Sequence, residues 1–259
     1  MISLFSLSPE NYLWFDSFII VLQTINCRYD NLQKYDLPFP EAVFDLSFYR
    51  YNPQPFVSLA RELWPGTSGI KPTLSHSFIS LLEAKGVLLR NYTQNIDGLE
   101  VLAGVSPEKM VECHGHFRTA GCVDCKTPYD GDLCKKKILG GTLPLCGNCG
   151  GLVKPDIVFF GESLPTRFGR MIQSDLREAD MLIVMGTSLK VAPVSLIPEI
   201  VDEDVPRLLF NRDLVGDFCQ TRDNLLRDVW ESGDCDVTVK KFCDLLGWTD
   251  DLMKINQQE

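Results

Sequence analysis

Histidine is scarce in this chain, with only His76, His114 and His116 among 259 residues. No cluster of histidine and aspartate has the spacing of a hydrolytic metal centre, which disfavours a zinc hydrolase. Glycine is missing from the whole stretch before Gly66. A loop that wraps phosphate needs glycine, both for positive φ and for close approach of backbone N–H groups, so that stretch holds no such loop. Basic charge is also short: 25 Lys and Arg stand against 35 Asp and Glu, a net charge of -10. Without a basic stripe, direct nucleic-acid binding is not expected. An acidic surface suits Lys-rich partners, although it serves solubility equally well. Repeats and low-complexity tracts are absent, and so is any long apolar run. The stretch from Tyr12 to Ile25 is broken by Asp16 and Ser17 and is too short to span a bilayer, so no membrane association is expected. No Lys or Arg precedes it and no small-residue cleavage site follows, which argues against a secretory leader. A reducing compartment is therefore expected, where the ten cysteines read as metal ligands before disulfides.

What is present suggests an α/β protein. Its length and 45% apolar content suffice for one large domain with a small satellite. Phe56, Ala60, Leu63 and Trp64 recur at helical spacing before Gly66, and Leu74, Phe78, Leu81 and Leu82 repeat the pattern before Gly86. Val87 to Tyr92, Met181 to Met185 and Arg207 to Phe210 are short, nearly continuous apolar runs, as buried parallel strands require. Polar or small residues follow each one: Thr93-Gln94-Asn95, Gly186-Thr187-Ser188 and Asn211-Arg212-Asp213. Ligands of open α/β sheets bind outside the carboxyl ends of strands, so three polar ends point to one crevice. Any single one could be an ordinary strand-to-loop change. Residues Phe117 to Pro155 are rich in Gly, Cys and Lys and read as an inserted module too polar for its own core. A closing helix is expected from Asp236, with Val239, Phe242, Leu245 and Leu246 on one face and Gly247 after it.

Cys122-x2-Cys125 and Cys146-x2-Cys149 are separated by twenty residues. Two such pairs place four thiolates around one zinc ion and leave no open position for water, so the ion is structural. Redox dithiols and unliganded cysteines are the rival readings. Cys134, between the pairs, is expected to be a bystander. Of the histidines, His76 and His116 read as structural. His114 stands between the amide-rich strand end and the cysteine module, where a neutral imidazole can accept a proton near neutral pH.

YTQNIDGLE, the HGHF around His114, the paired CxxC, KPDIVFFGE, the GTS after a strand and LLFNRD occur here in one order. In these motifs the chain resembles the sirtuins, most of all the class I group of cytosolic, nuclear and mitochondrial eukaryotic members. The resemblance runs from about Tyr29 to Trp248. It implies a Rossmann-like parallel sheet domain with a smaller zinc-ribbon plus helical domain. The implied divisions are a divergent leader at 1–28, a helical cofactor-loop module at 29–66, a Rossmann-like NAD-binding domain at 67–116 and 156–259, and a zinc-binding module at 117–155. It also implies NAD-dependent protein-lysine deacetylation, releasing nicotinamide and O-acyl-ADP-ribose, on acylated-lysine proteins or peptides, histone or non-histone, in the cytoplasm, the nucleus or both, with mitochondria left open. His114 then matches the general base, and Asn95 and Asp97 match residues that position the nicotinamide end, with Gln94 and Ile96 beside them. Gly186, Thr187, Ser188, Asn211, Arg212, Asp213 and Cys235 match the adenosine side. Val158, Phe159, Gly161 and Glu162 match the edge that clamps the substrate backbone, and Ile157 to Phe160 could line a tunnel for the acyl-lysine stem or form plain core strand.

The departure from the family lies upstream. Sirtuins carry a GAG-containing loop and a GxPDFR segment after their first strand. Phe18 to Leu22 can be that strand, yet only Gln23 to Arg28 separate it from the resumed resemblance. Two or three hydrogen bonds to charged phosphate oxygens would be lost, about 3–9 kcal/mol. The expectation is an impaired enzyme, with a catalytically silent binding module or a truncated isoform as the alternative.

Overall fold

The computed structural model describes residues 18–22, 37–67, 69–220 and 227–257. In chain order the elements are β1 (Phe18–Leu22), α1 (Leu46–Tyr51), α2 (Gln54–Leu63), α3 (Leu74–Ala84), β2 (Leu88–Thr93), α4 (Leu99–Leu102) and β3 (Met110–Glu112). β4 (Gly115–Cys122), β5 (Pro128–Tyr129), α5 (Gly131–Leu139) and β6 (Val153–Ile157) follow. The chain continues through α6 (Thr166–Glu178), β7 (Met181–Met185), α7 (Ile197–Ile200), β8 (Arg207–Asn211), β9 (Asp228–Ser232), α8 (Cys235–Leu246) and α9 (Thr249–Gln257).

Six strands form one parallel sheet in the order β3-β2-β1-β7-β8-β9. Counting only these strands, the order is 3-2-1-4-5-6, that of a doubly wound dinucleotide-binding sheet, and its switch point lies between β1 and β7. All five residues of β7 are buried, as a central strand covered on both faces demands. One face of the sheet is covered by α3, α8 and α9, whose Phe78, Leu82, Val239 and Leu252 meet Ile183 and Met185. The other face is covered by α6 and α7 through Leu182, Val184, Leu209 and Ile197. α6 is amphipathic, with Phe168, Met171, Ile172 and Leu176 facing the sheet. Its Asp175 is buried beneath Arg90 and Tyr92, accepting from Arg90 Nε at 2.8 Å and from the Tyr92 hydroxyl at 2.6 Å.

The three apolar runs expected as parallel strands are β2, β7 and β8. Phe18–Leu22 is the central strand β1, between β2 and β7. Residues 23–28, where the shortened connection was inferred, lie outside the described residues. The closing helix is α8, but Leu245 is 59% exposed and does not share its buried face. Val239, Phe242, Cys243 and Leu246 recur at i, i+3, i+4 and i+7, and Leu245 is turned about 100° from Leu246.

β4, β5 and β6 form a separate antiparallel sheet in the order β5-β4-β6. α5 packs on it and is capped by Asp130, which accepts from the Leu133 N–H at 2.7 Å. The segment expected to lack a core of its own instead shares one. Phe117, Val123, Ile138 and Val153 pack with Tyr49, Phe56, Val57 and Trp64 from α1, α2 and the turn after α2. The Tyr49 hydroxyl donates to the Val153 carbonyl at 2.9 Å, and the Trp64 and Phe117 rings lie 4.7 Å apart.

Candidate functional site

β2 ends on a folded-back polar segment. The Thr93 hydroxyl oxygen accepts from the Asn95 N–H at 3.1 Å, and Asp97 Oδ1 accepts from the Leu99 N–H at 3.1 Å. Gly98 between them takes a left-handed φ of 70° and opens α4. These local bonds hold Gln94 to Asp97 beyond the carboxyl end of the strand. Gln94 is only 4% exposed. Its Oε1 accepts from the Thr187 hydroxyl at 3.1 Å, and its Nε2 has no partner. One side chain therefore joins the end of β2 to the end of β7, across the switch point.

His114 lies just past β3. Its Nδ1 is 2.9 Å from the Gln94 carbonyl oxygen. A carbonyl only accepts, so Nδ1 carries the proton and the lone pair of Nε2 is left available. Burial pushes the His114 pKa below the ordinary imidazole value, with the Gln94 hydrogen bond opposing. The ring is thus neutral at physiological pH. Its position depends on Gly115, with φ at 76°, because a Cβ there would sit 1.9 Å from the Asp156 carbonyl oxygen. That close approach also lets the Val158 N–H donate to the His114 carbonyl at 2.8 Å.

Residues Ile157 to Leu164 form the opposite wall. The Phe159 ring is packed among Phe44, Tyr49 and Phe56, with centroids 5.9, 5.5 and 4.9 Å away. Phe160 donates its N–H to the Phe44 carbonyl at 2.8 Å and accepts from the Leu46 N–H at 3.1 Å, while its ring stands half exposed. Phe159 is thus buried in the core, while Ile157 to Phe160 all border a cavity.

Between the walls is a cavity of about 710 Å³. Gln94, Asn95, Ile96, Asp97, His114, Val158, Phe159, Gly161 and Glu162 all line it. Among the described residues no Lys or Arg does so. Gly186, Thr187, Ser188, Asn211, Arg212, Asp213 and Cys235 lie outside it, at the carboxyl ends of β7 and β8 and the start of α8. There Asn211 Nδ2 donates to the Asp213 carbonyl at 2.8 Å, Arg212 Nε donates to Asp234 at 2.6 Å, and Cys235 lies against the Phe210 carbonyl at 3.3 Å. The three strand ends share one edge of the sheet, but the enclosed space gathers only that of β2.

The four knuckle cysteines converge. Their sulfurs lie within 4.8 Å of one another, with Cys122 and Cys149 at 3.5 Å and Cys125 and Cys146 at 3.6 Å. Tetrahedral zinc with sulfurs at about 2.3 Å needs sulfur separations of about 3.8 Å, so the four fit one ion. The Asn148 and Gly151 N–H groups point at the Cys146 and Cys149 sulfurs, each at 3.4 Å, as thiolates require. Cys134 is buried away from the cluster, and its thiol is pushed up to about 12 by burial.

Two residues of the site region escaped the sequence reading, one in the cavity wall and one behind it. His76 was read as structural, and it does complete a capping box, its Nδ1 accepting from the Thr73 N–H at 3.1 Å. It also lines the cavity, and its buried Nε2 has no partner. Burial pushes the His76 pKa down, against the nearby Asp97 and Asp236 carboxylates. The Thr73-x-x-His76 spacing signals the cap, not the cavity. Glu100, fully buried behind Gln94 to Asp97 and with Oε1 unpartnered, gave no periodic signal of its own.

A doubly wound sheet in dinucleotide-binding order, a cavity at its carboxyl edge and an appended four-cysteine knuckle define a Rossmann-like α/β protein with a metal-binding module. The Sir2 family model matches residues 24–193, and the chain belongs to that family. It is 47% identical over 231 residues to mouse NAD-dependent protein deacetylase sirtuin-3, covering 89% of this chain and 68% of that protein. It is 51% identical over 229 residues to NAD-dependent protein deacetylase hst2-1 of Emericella nidulans, covering 88% of this chain and 61% of that protein. With NAD-dependent deacetylase sir2D of Dictyostelium discoideum it shares 48% over 219 residues, which are 83% of this chain and 39% of that protein. No helix among the described residues is long and apolar enough to cross a membrane.

Proposed function

We propose that this chain is a sirtuin-type, NAD-dependent protein-lysine deacetylase whose grip on the cofactor's phosphates is impaired. The observation that carries the reading is the His114–Gln94 contact at the cavity wall, which fixes the imidazole tautomer and leaves Nε2 as a proton acceptor. NAD, when bound, supplies a ribose carbon from which nicotinamide can be displaced by an acyl oxygen. His114 Nε2 takes the proton of a neighbouring hydroxyl, and burial keeps the ring neutral for that purpose. Asn95 and Asp97, with Gln94 and Ile96, hold the nicotinamide end. The unpartnered Nε2 donors of Gln94 and His76 support this, because buried donors without partners suit a polar ligand. Gly186, Thr187, Ser188, Asn211, Arg212, Asp213 and Cys235 are assigned to the adenosine half. Val158, Gly161, Glu162 and the backbone of Phe159 hold an acylated lysine of a protein or peptide partner, with Ile157 and Phe160 along its stem.

The zinc has a structural role in this reading, since four thiolates fill its shell. The proposed units are the large sheet with its helices for the cofactor, the cysteine module at 117–155, and the segment at 29–66, of which residues 43–64 pack on that module. The cytoplasm and nucleus are the proposed compartments, with mitochondria left open.

Impairment rests on the sequence after β1. No glycine occurs there before Gly66, and no Lys or Arg among the described residues lines the cavity. The same observation favours a second reading, a silent module that captures acylated partners without turnover. Calorimetry with NAD and an acetyl-lysine peptide, together with measured nicotinamide release, tests both. Peptide binding with weak NAD binding and slow release is the expected result. Peptide binding with no release at any NAD concentration selects the silent module. Tight NAD binding with fast turnover overturns the impairment.

A further inference from the structure

Lys154 is an unusual residue for its position. It sits in β6 between buried Val153 and Pro155, is only 6% exposed, and serves none of the roles above. Its Nζ donates to the Ile157 carbonyl at 2.6 Å and to the Pro155 carbonyl at 3.3 Å. It pairs with Glu162 Oε2 at 2.8 Å and lies 4.6 Å from the centroid of the Phe159 ring. The same Glu162 oxygen accepts from the Phe159 N–H at 3.0 Å, and the Glu162 N–H donates to the Phe159 carbonyl at 2.9 Å. One ammonium and one carboxylate thus tie together the start, middle and end of the Ile157–Glu162 wall. Burying a lysine is unfavourable unless its charge is matched, and burial does pull its pKa down against the pull of Glu162. A hydrophobic residue of similar size would fill the same space at no such cost, so packing alone does not account for a charge here.

We propose that Lys154 is a positioning residue that, through Glu162, sets the shape of the wall gripping the acyl-lysine stem, and so governs affinity for the acylated substrate rather than for the cofactor. The inference rests on the proposed function, because it assumes that the cavity takes an acylated lysine. Lys126 also approaches Glu162, at 4.0 Å, but is well exposed. An exposed pair contributes little, so Lys126 supplies the contrast.

The test is fluorescence anisotropy with a labelled acetyl-lysine peptide, which needs no turnover. Hydrogen exchange at the Phe159 and Glu162 amides and zinc content are measured on the same samples. Lys154→Met is expected to weaken peptide binding about tenfold and to speed exchange at both amides. Zinc content and NAD affinity stay as in the parent. Lys154→Arg, which keeps a charged donor, recovers binding to within about threefold of the parent, and Lys126→Ala stays within about twofold. If Lys154→Met does not fold, Lys154→Gln, which keeps a polar end without the charge, carries the test, with the same tenfold loss expected. Parent-like peptide binding in Lys154→Met, or in Lys154→Gln where that variant stands in, overturns the positioning role. So does an equal loss of NAD and peptide affinity, which would mean general loosening. Failure of the parent chain itself to prefer acetylated over unmodified peptide overturns instead the functional reading beneath it.

Discussion

The Nδ1 of His114 and the carbonyl oxygen of Gln94 face each other at 2.9 Å, so the end of β2 dictates which nitrogen of the imidazole is free. Gln94 in turn receives the Thr187 hydroxyl. The proton-accepting nitrogen is thereby oriented by residues from both sides of the sheet's switch point.

Replacing His114 by Ala should lower whatever deacetylation the chain has by about a hundredfold to ten-thousandfold, in line with losing a general base. Its melting temperature and zinc content should hardly change. His76→Ala should do the reverse in part, lowering the melting temperature because the Thr73 N–H loses its cap. Since burial lowers the His114 pKa, activity should fall only on the acid side, with a midpoint below the ordinary imidazole value of about 6.5. A midpoint above that value in a kcat/KM profile would contradict the assignment.

Cys146→Ser should leave three thiolates for zinc and sharply lower metal content, measured by elemental analysis. Because the module's Phe117 and Val153 are packed with Tyr49 and Phe56, the loss should also loosen α1 and α2. Hydrogen exchange in residues 46–63 reads that second effect. Full zinc occupancy in the variant would remove Cys146 from the shell.

Glu100 should make stability depend on pH in an unusual direction. Burial raises its pKa from 4.5 to about 7, with Asp97 and Glu112 adding to the rise and a Thr93 hydrogen bond opposing it. The folded state therefore holds this proton more tightly than the unfolded chain. Its contribution is fully present below pH 4.5 and is lost as pH rises through about 7. Glu100→Gln should match the parent near about pH 4.5 and exceed it by on the order of 3 kcal/mol near about pH 8. Urea unfolding at both pH values checks this, and a constant difference would be inconsistent with it.

Grafting a GAG-containing loop and a PDFR segment between Leu22 and Tyr29 should raise NAD affinity by two or more orders of magnitude, given about 1.5–3 kcal/mol per hydrogen bond to phosphate. Peptide affinity should not move. Calorimetry on both chains separates the two ligands, and an unchanged NAD affinity would locate the phosphate grip elsewhere.

The large sheet was legible because buried parallel strands have a simple signature: Met181 to Met185 is apolar at every position and ends on Gly186. The cysteine knuckle was legible because its geometry is fixed by local spacing. β9 was not, since Asp228 to Ser232 is a sheet edge with Val229 and Trp230 exposed, and edge strands need no apolar run. α6 was hidden by its charged outer face and by Asp175, whose burial depends on Arg90 and Tyr92 from a distant strand. Long-range partners explain the site's gaps as well. Nothing next to Lys154 in sequence reveals that Glu162 will neutralise it, and the unmet Nε2 of His76 exists only once α3 is packed. The shared core of the cysteine module was missed for the same reason: much of it, Val43, Tyr49, Phe56 and Trp64 included, is supplied by residues 43–64.

That division of the core has a bearing on synthesis. Phe44, Tyr49 and Phe56 are completed by the Phe159 ring, about a hundred positions later in the chain. At about 5–20 residues per second, the early aromatic group waits some 5–20 s on the ribosome before its last member is made. During that interval a sticky surface is uncovered and the knuckle cysteines emerge one pair at a time. Newly made chains should therefore depend on holding chaperones and on prompt metal supply far more than the finished molecule does.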